Sequence, residues 1–316
     1  TFVTAIIYSI AFAFIFAVNR DRRFLSAVGE DMREALNYLI PGIGLIVFYN
    51  TFRMEISNYF DLQRLQTAFI YQDLLNVYPP IYNNDLYIFS FLWQLNFTTL
   101  FLTIISLINI RKFKNQFTAI ASLFLGILAL AVFLTGGLYF LGDLRESYFH
   151  PGNAEHFAHG SLYIFIRYIC YAFVGGLIFS IYKTLKQDIL TETITHRTAT
   201  FDFIFYFSML LILTAELLTW TVLFGYSDSF KLVTSIFWGI FAVALIVIGI
   251  YQNKKHLRVG AIVLFAVTLA KLFLYDIAEL GTISKTVVFV SLGILLLIAS
   301  FLYNKYKSLI FDANEN

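Results

Sequence analysis

Residues 117–141 contain no charged side chain. No other feature constrains the fold as strongly. A helix over that stretch is roughly 37 Å long, more than the ~30 Å hydrocarbon layer of a bilayer. Similar apolar runs recur along the chain. The whole is 59% hydrophobic and 13% charged, against about 25% charged in a soluble domain. Within lipid, a helix satisfies its own backbone polar groups. The expected fold is therefore all-α, a polytopic transmembrane helix bundle. Apolar cores at 2–18, 37–52, 86–110, 117–141, 161–182, 201–224, 230–251, 258–277 and 284–303 predict about nine transmembrane helices.

The connections carry an alternating charge pattern. One set holds Arg20, Arg22, Arg23, Arg33; Arg111, Lys112, Lys114; Lys183, Lys186, Arg197; Lys254, Lys255, Arg258; and Lys305, Lys307. The opposite set holds only Arg53, Arg64, Arg145, Lys231 and Lys285. Short basic loops stay in the cytoplasm. The C-terminus is thus predicted inside and residue 1 outside. An outside start suggests a fragment of a longer chain, with an odd number of helices or a cleaved leader before Thr1. With four prolines and no Gly/Ser-rich stretch, residues 1–316 read as a single transmembrane domain. The lone cysteine, Cys170, lies in an apolar run and reads as a core residue.

Two outer connections are substantial. In 53–80, apolar Ile56, Tyr59, Phe60, Leu65, Phe69 and Leu75 recur near a helical period, which predicts an amphipathic helix lying on the interface. Residues 142–160 are polar and histidine-rich and read as a loop.

Charges that interrupt apolar helices are the candidate site residues. Arg167, Glu216 and Lys271 lie six to eight residues from the predicted outer ends of their helices, roughly 9–12 Å below the surface. Tyr163 and Tyr171 flank Arg167 at i−4 and i+4, and Tyr275 follows Lys271 by one turn. Asp276 sits where that helix surfaces. Against this stands a structural role, with an Arg167–Glu216 pair fixing helix packing and Lys271 snorkelling to headgroups. His150, Glu155, His156 and His159 offer a lid or an acid–base group; their spacing lacks the signature of a metal site, and no metal is expected. His196 and His256 read as juxtamembrane charge. No phosphate loop, nucleophile elbow or dinucleotide fingerprint occurs, so neither a cofactor nor a nucleotide or nucleic-acid partner is expected. The expected partners are membrane lipids and, for a scaffold, other membrane subunits.

Two phrases repeat: FLGDLRES at 140–147 and FLYDIAEL at 273–280. Both close a helix running outward. A four-helix shift preserves orientation, so spans 4–5 and 8–9 fit a weak parallel repeat.

The segments ELLTW (216–220), KKHLRVGAIVLFAVTLAKLFLYDIAEL (254–280) and ISKTVVFVSLGILLLIASFLYNKYK (283–307) resemble the C-terminal signature of a bacterial family of multi-pass membrane proteins, catalogued as a domain of unknown function. The signature falls on Lys271, Asp276, Lys285, Gly293 and Tyr303. Family members more often carry arginine at the Lys285 position. GLYFLGDLRES and the Arg167 helix resemble Bacteroidetes-type members. The resemblance covers 138–307 and implies a bacterial inner membrane. It carries no activity with it.

Three functions fit this pattern. The first is binding or transport of an anionic lipid or glycan group in an outer-leaflet cavity lined by Arg167, Glu216, Lys271 and Asp276. The second is an extracytoplasmic-facing transferase with a loop histidine as base. The third is a structural scaffold of a membrane complex.

Overall fold

The structure, a computed structural model, describes residues 2–20, 30–68, 70, 80–150, 157, 160–190, 194, 196–225, 230–271 and 282–305. Its long elements are helices: α1 (Phe2–Arg20), α2 (Glu30–Gln66), α3 (Asp85–Ile108), α4 (Gln116–Val132), α5 (Leu138–Phe149), α6 (Leu162–Leu185), α7 (Arg197–Leu223), α8 (Phe230–Tyr251), α9 (Lys255–Lys271) and α10 (Thr282–Lys305). Two π-helical turns, Asn109–Phe113 and Phe133–Gly137, extend α3 and join α4 to α5. Among the described residues, five segments are long and apolar enough to cross a membrane: Asp85–Phe113, Gln116–Phe149, Leu162–Leu185, Arg197–Leu223 and Val233–Tyr251. Shorter apolar stretches lie at Ile6–Ile15 and Phe289–Ile298.

The chain divides into two compact units, Thr1–Thr184 and Leu185–Asn316. In the first, α2 is continuous through residues expected to form a separate interfacial helix. Residues 53–66 contain neither glycine nor proline, so nothing ends the helix there. Similarly, α5 carries the helix on to Phe149, past the expected start of a loop at 142, because Leu141 and Leu144 are buried at 3% and 0% exposure.

The turn between α3 and α4 is built by two asparagines. Asn115 accepts from the Thr118 N–H at 2.9 Å and caps α4. Asn109 donates to Asn115 O and accepts from Asn115 N–H. Along α4, Phe117, Phe124 and Leu128 are exposed while Ala119, Leu123, Gly126 and Leu130 are buried. A helix with its large apolar groups outward is suited to lipid rather than to water. Gly126 lets α6 come close: a Cβ there would already touch Leu177 at 3.5 Å and Ile181 at 3.6 Å, the small-residue packing typical of membrane helices. Ser106 on α3 hydrogen-bonds Thr184 on α6 at 2.7 Å.

In the second unit α8 packs on α7, α9 and α10. Leu210, Phe241, Leu245, Ile246 and Ala261 form its core. Buried Ser208 and Thr219 return their hydroxyls to carbonyls one turn back, at 2.7 and 2.9 Å, which satisfies them inside an apolar layer.

Candidate functional site

The first unit gathers polar groups where α2 ends, α3 and α6 begin, and α5 ends. Asn83 is buried; its backbone N–H donates to Thr67 Oγ1 at 3.0 Å, and its side-chain oxygen accepts from the Asp85 N–H at 3.1 Å. That local loop starts α3. Arg64, near the end of α2, donates to Asn84 Oδ1 at 3.1 Å and lies over the Tyr82 ring. The Asp85 carboxylate then collects donors from other helices. Ser147 of α5 donates to its Oδ2 at 2.5 Å, and Tyr163 of α6 is hydrogen-bonded to Asp85 and Asn83. On α5, Tyr139 hydrogen-bonds Asp143. Replacing Ser147 with alanine takes one donor from Asp85 and is expected to cost about 1–2 kcal/mol. A lower melting temperature in detergent checks this.

Arg167 is the largest fully buried side chain among the described residues, 2% exposed. Its Nε donates to Ile164 O at 2.8 Å, one turn back on α6. Arg145 of α5 is half-buried and within electrostatic range of Arg167, so two like charges share this end of the unit. Glu146 and Asp143 supply opposite charge to Arg145. The tyrosines flanking Arg167 also serve the packing: Tyr163 meets the Phe89 ring edge-on at 5.1 Å, and Tyr171 meets Phe133 and Tyr168.

The other expected site residues fall as follows. Glu216 and Lys271 belong to the second unit. Glu216 accepts from Trp220 Nε1 at 3.0 Å on its own helix. Lys271 donates to Ser235 Oγ at 3.0 Å, a hydroxyl with no exposure. Exposed His150 sits 3.3 Å from Glu146. Glu155, His156, His159, Tyr275 and Asp276 lie outside the described residues, as does the whole of FLYDIAEL. Among the described residues no His, Cys, Asp or Glu cluster is arranged for a metal ion.

One further cluster had no counterpart in the reading of the sequence. Asp202 of α7 is 5% exposed. Lys254 Nζ lies 3.0 and 2.8 Å from its two oxygens, and His256 Nε2 lies 2.6 Å from Oδ2. His256, expected as simple juxtamembrane charge, is therefore committed to a buried carboxylate. The available signal was Asp202 itself, a charge flanked by aromatic residues in TFDFIF.

The family model described as a predicted membrane protein, DUF2339, matches residues 3–306. The chain belongs to that family. No curated protein and no solved structure matches the chain.

Proposed function

We propose that this member of the DUF2339 family binds or transports an anionic group, a lipid phosphate or an acidic glycan, at the end of its first unit where Arg145 and Arg167 come together. The observation that carries this reading is an almost wholly buried guanidinium, Arg167, with a second one, Arg145, within electrostatic range of it at a polar helix end. Like charges repel, and a buried cation loses its hydration. An anion between them reverses both effects and accepts the planar, forked donors that arginine presents. Asp85 and Asp143 take hydrogen bonds from the hydroxyls of Ser147, Tyr163 and Tyr139, and Asp143 and Glu146 also supply opposite charge to Arg145.

In this reading the chain lies in a bacterial inner membrane with nine spans and a cytoplasmic C-terminus. The Arg145–Arg167 end then faces the outer leaflet, in line with the lysine and arginine bias of the connections. The test uses full-length protein in detergent, with retention of phosphatidylglycerol and phosphatidylcholine measured by native mass spectrometry. Arg167→Gln is expected to weaken phosphatidylglycerol retention by about tenfold, and Arg167→Lys by less. Equal retention by wild type and R167Q would overturn the proposal.

A second reading rests on His150 and Glu146. A carboxylate 3.3 Å from an exposed imidazole orients it as a general base. A transferase acting on the same lipid or glycan group would use it. His150→Ala would then abolish turnover of the bound group while leaving its retention unchanged.

A further inference from the structure

Arg258 is 3% exposed, and its Nε, Nη1 and Nη2 atoms have no hydrogen-bond partner among the described residues. A guanidinium offers five N–H donors and does not shed its charge. Closing it away from water without an acceptor is among the costlier arrangements a fold can hold.

Its direction is set by its neighbours. A Cβ at Gly249 would lie 2.8 Å from Arg258 Cγ. The stem therefore leans from the fourth residue of α9 back over the α8–α9 turn, as helical side chains do. The Lys254 N–H bonds Gly249 O at 2.9 Å at that same turn. The Arg258 stem thus packs against α8 where the chain turns into α9. Lys254, just before the helix, has no side-chain acceptor with which to cap the first-turn N–H groups. Asp202 is already engaged by Lys254 and His256. The Asp202 carboxylate thus has Lys254 and His256 as its partners, and Arg258 is not among them. A 17-residue helix N-terminus, an excess of positive charge and a buried guanidinium without an acceptor among the described residues all favour the same occupant.

We propose that the α8–α9 turn of the second unit is a phosphate-binding site, separate from the Arg145–Arg167 end. The guanidinium of Arg258 and the first-turn N–H groups of α9 hold the phosphate oxygens. Asp202 keeps Lys254 and His256 occupied and fixes the turn. Tyr251, Gln252 and Asn253, exposed beside it, mark the side from which the anion enters. The lysine and arginine bias places this turn on the cytoplasmic face, where lipid phosphodiesters and free phosphate both occur.

The experiment uses the full chain in detergent, with short-chain phosphatidylglycerol, short-chain phosphatidylcholine or inorganic phosphate added in turn. Melting temperature and hydrogen exchange by mass spectrometry are both read. Because an anion at the Arg145–Arg167 end would also raise the melting temperature, the measurement is repeated in R167Q. The expected result is a saturable rise that persists in R167Q and disappears in Arg258→Gln. Exchange in the 249–258 segment should slow several-fold. A rise with phosphatidylglycerol alone supports a lipid headgroup as the source; a rise with inorganic phosphate as well supports a free anion. An equal rise with phosphatidylcholine overturns the proposal, as does an unchanged rise in a folded R258Q. If R258Q does not fold, exchange in R167Q decides: protection at 249–258 supports the site, and its absence there overturns it.

Discussion

Replacing Asp202 with alanine is expected to destabilise the second unit by about 1.5–3 kcal/mol, the range for losing hydrogen bonds to a charged group. The buried carboxylate is the shared acceptor for Lys254 and His256, with every contact at or below 3.0 Å. Its loss leaves Lys254 and His256, a quarter and a third exposed, without their shared acceptor. It also unties α7 from the segment that begins α9. Asparagine keeps an acceptor but not the charge and should fall between wild type and alanine. Thermal unfolding of the three proteins in the same detergent gives the order. A D202A protein that melts with wild type would show that the cluster is solvated and structurally idle.

Glycine 249 carries the second large effect. A Cβ there would stand 2.8 Å from Arg258 Cγ, 3.1 Å from the Arg258 backbone nitrogen and 3.2 Å from Leu257 Cβ. The side-chain clash can relax by rotation, but the backbone one cannot. Gly249→Val must therefore push α8 from α9, at a cost of about 1–3 kcal/mol or more. Gly249→Ala should show a smaller part of the same loss. In contrast, Gly260 has no heavy atom within 4 Å of a built Cβ, and Gly260→Ala at this helical position should be neutral or stabilising by a few tenths of a kcal/mol to about 1 kcal/mol. Melting temperatures of G249V, G249A and G260A in detergent check all three.

The helices were legible because uncharged runs report burial in lipid directly. The Gln116–Phe149 segment is visible in the sequence as residues 117–141 plus a polar end. Boundaries were less legible. Residues 53–66 mix apolar and charged side chains, a pattern shared by an interfacial helix and by a long helix leaving the membrane. Only the continuous backbone of α2 separates the two. Arg167 was legible for the reason that made it expensive, as a cation inside an apolar helix. Asp202 carries the same signal, a charge set among aromatic residues in TFDFIF. The Asp85 cluster was not legible at all. Asp85 and Ser147 are 62 residues apart, and neither residue type is unusual at a helix end. What brings them together is the packing of α3 and α5, which no local spacing encodes. Arg258 reads in the sequence as part of a basic connection; in the structure it is the fourth residue of α9, buried where Gly249 lets α8 and α9 approach closely.

The most direct measurement is an experimental structure of the full chain in native-lipid nanodiscs, inspected for density between Arg145 and Arg167. The expected result is a headgroup-sized anion with oxygens about 2.7–2.9 Å from both guanidinium groups. Arg145 and Arg167 facing only protein carboxylates, around a filled interior without such density, would contradict the proposed function.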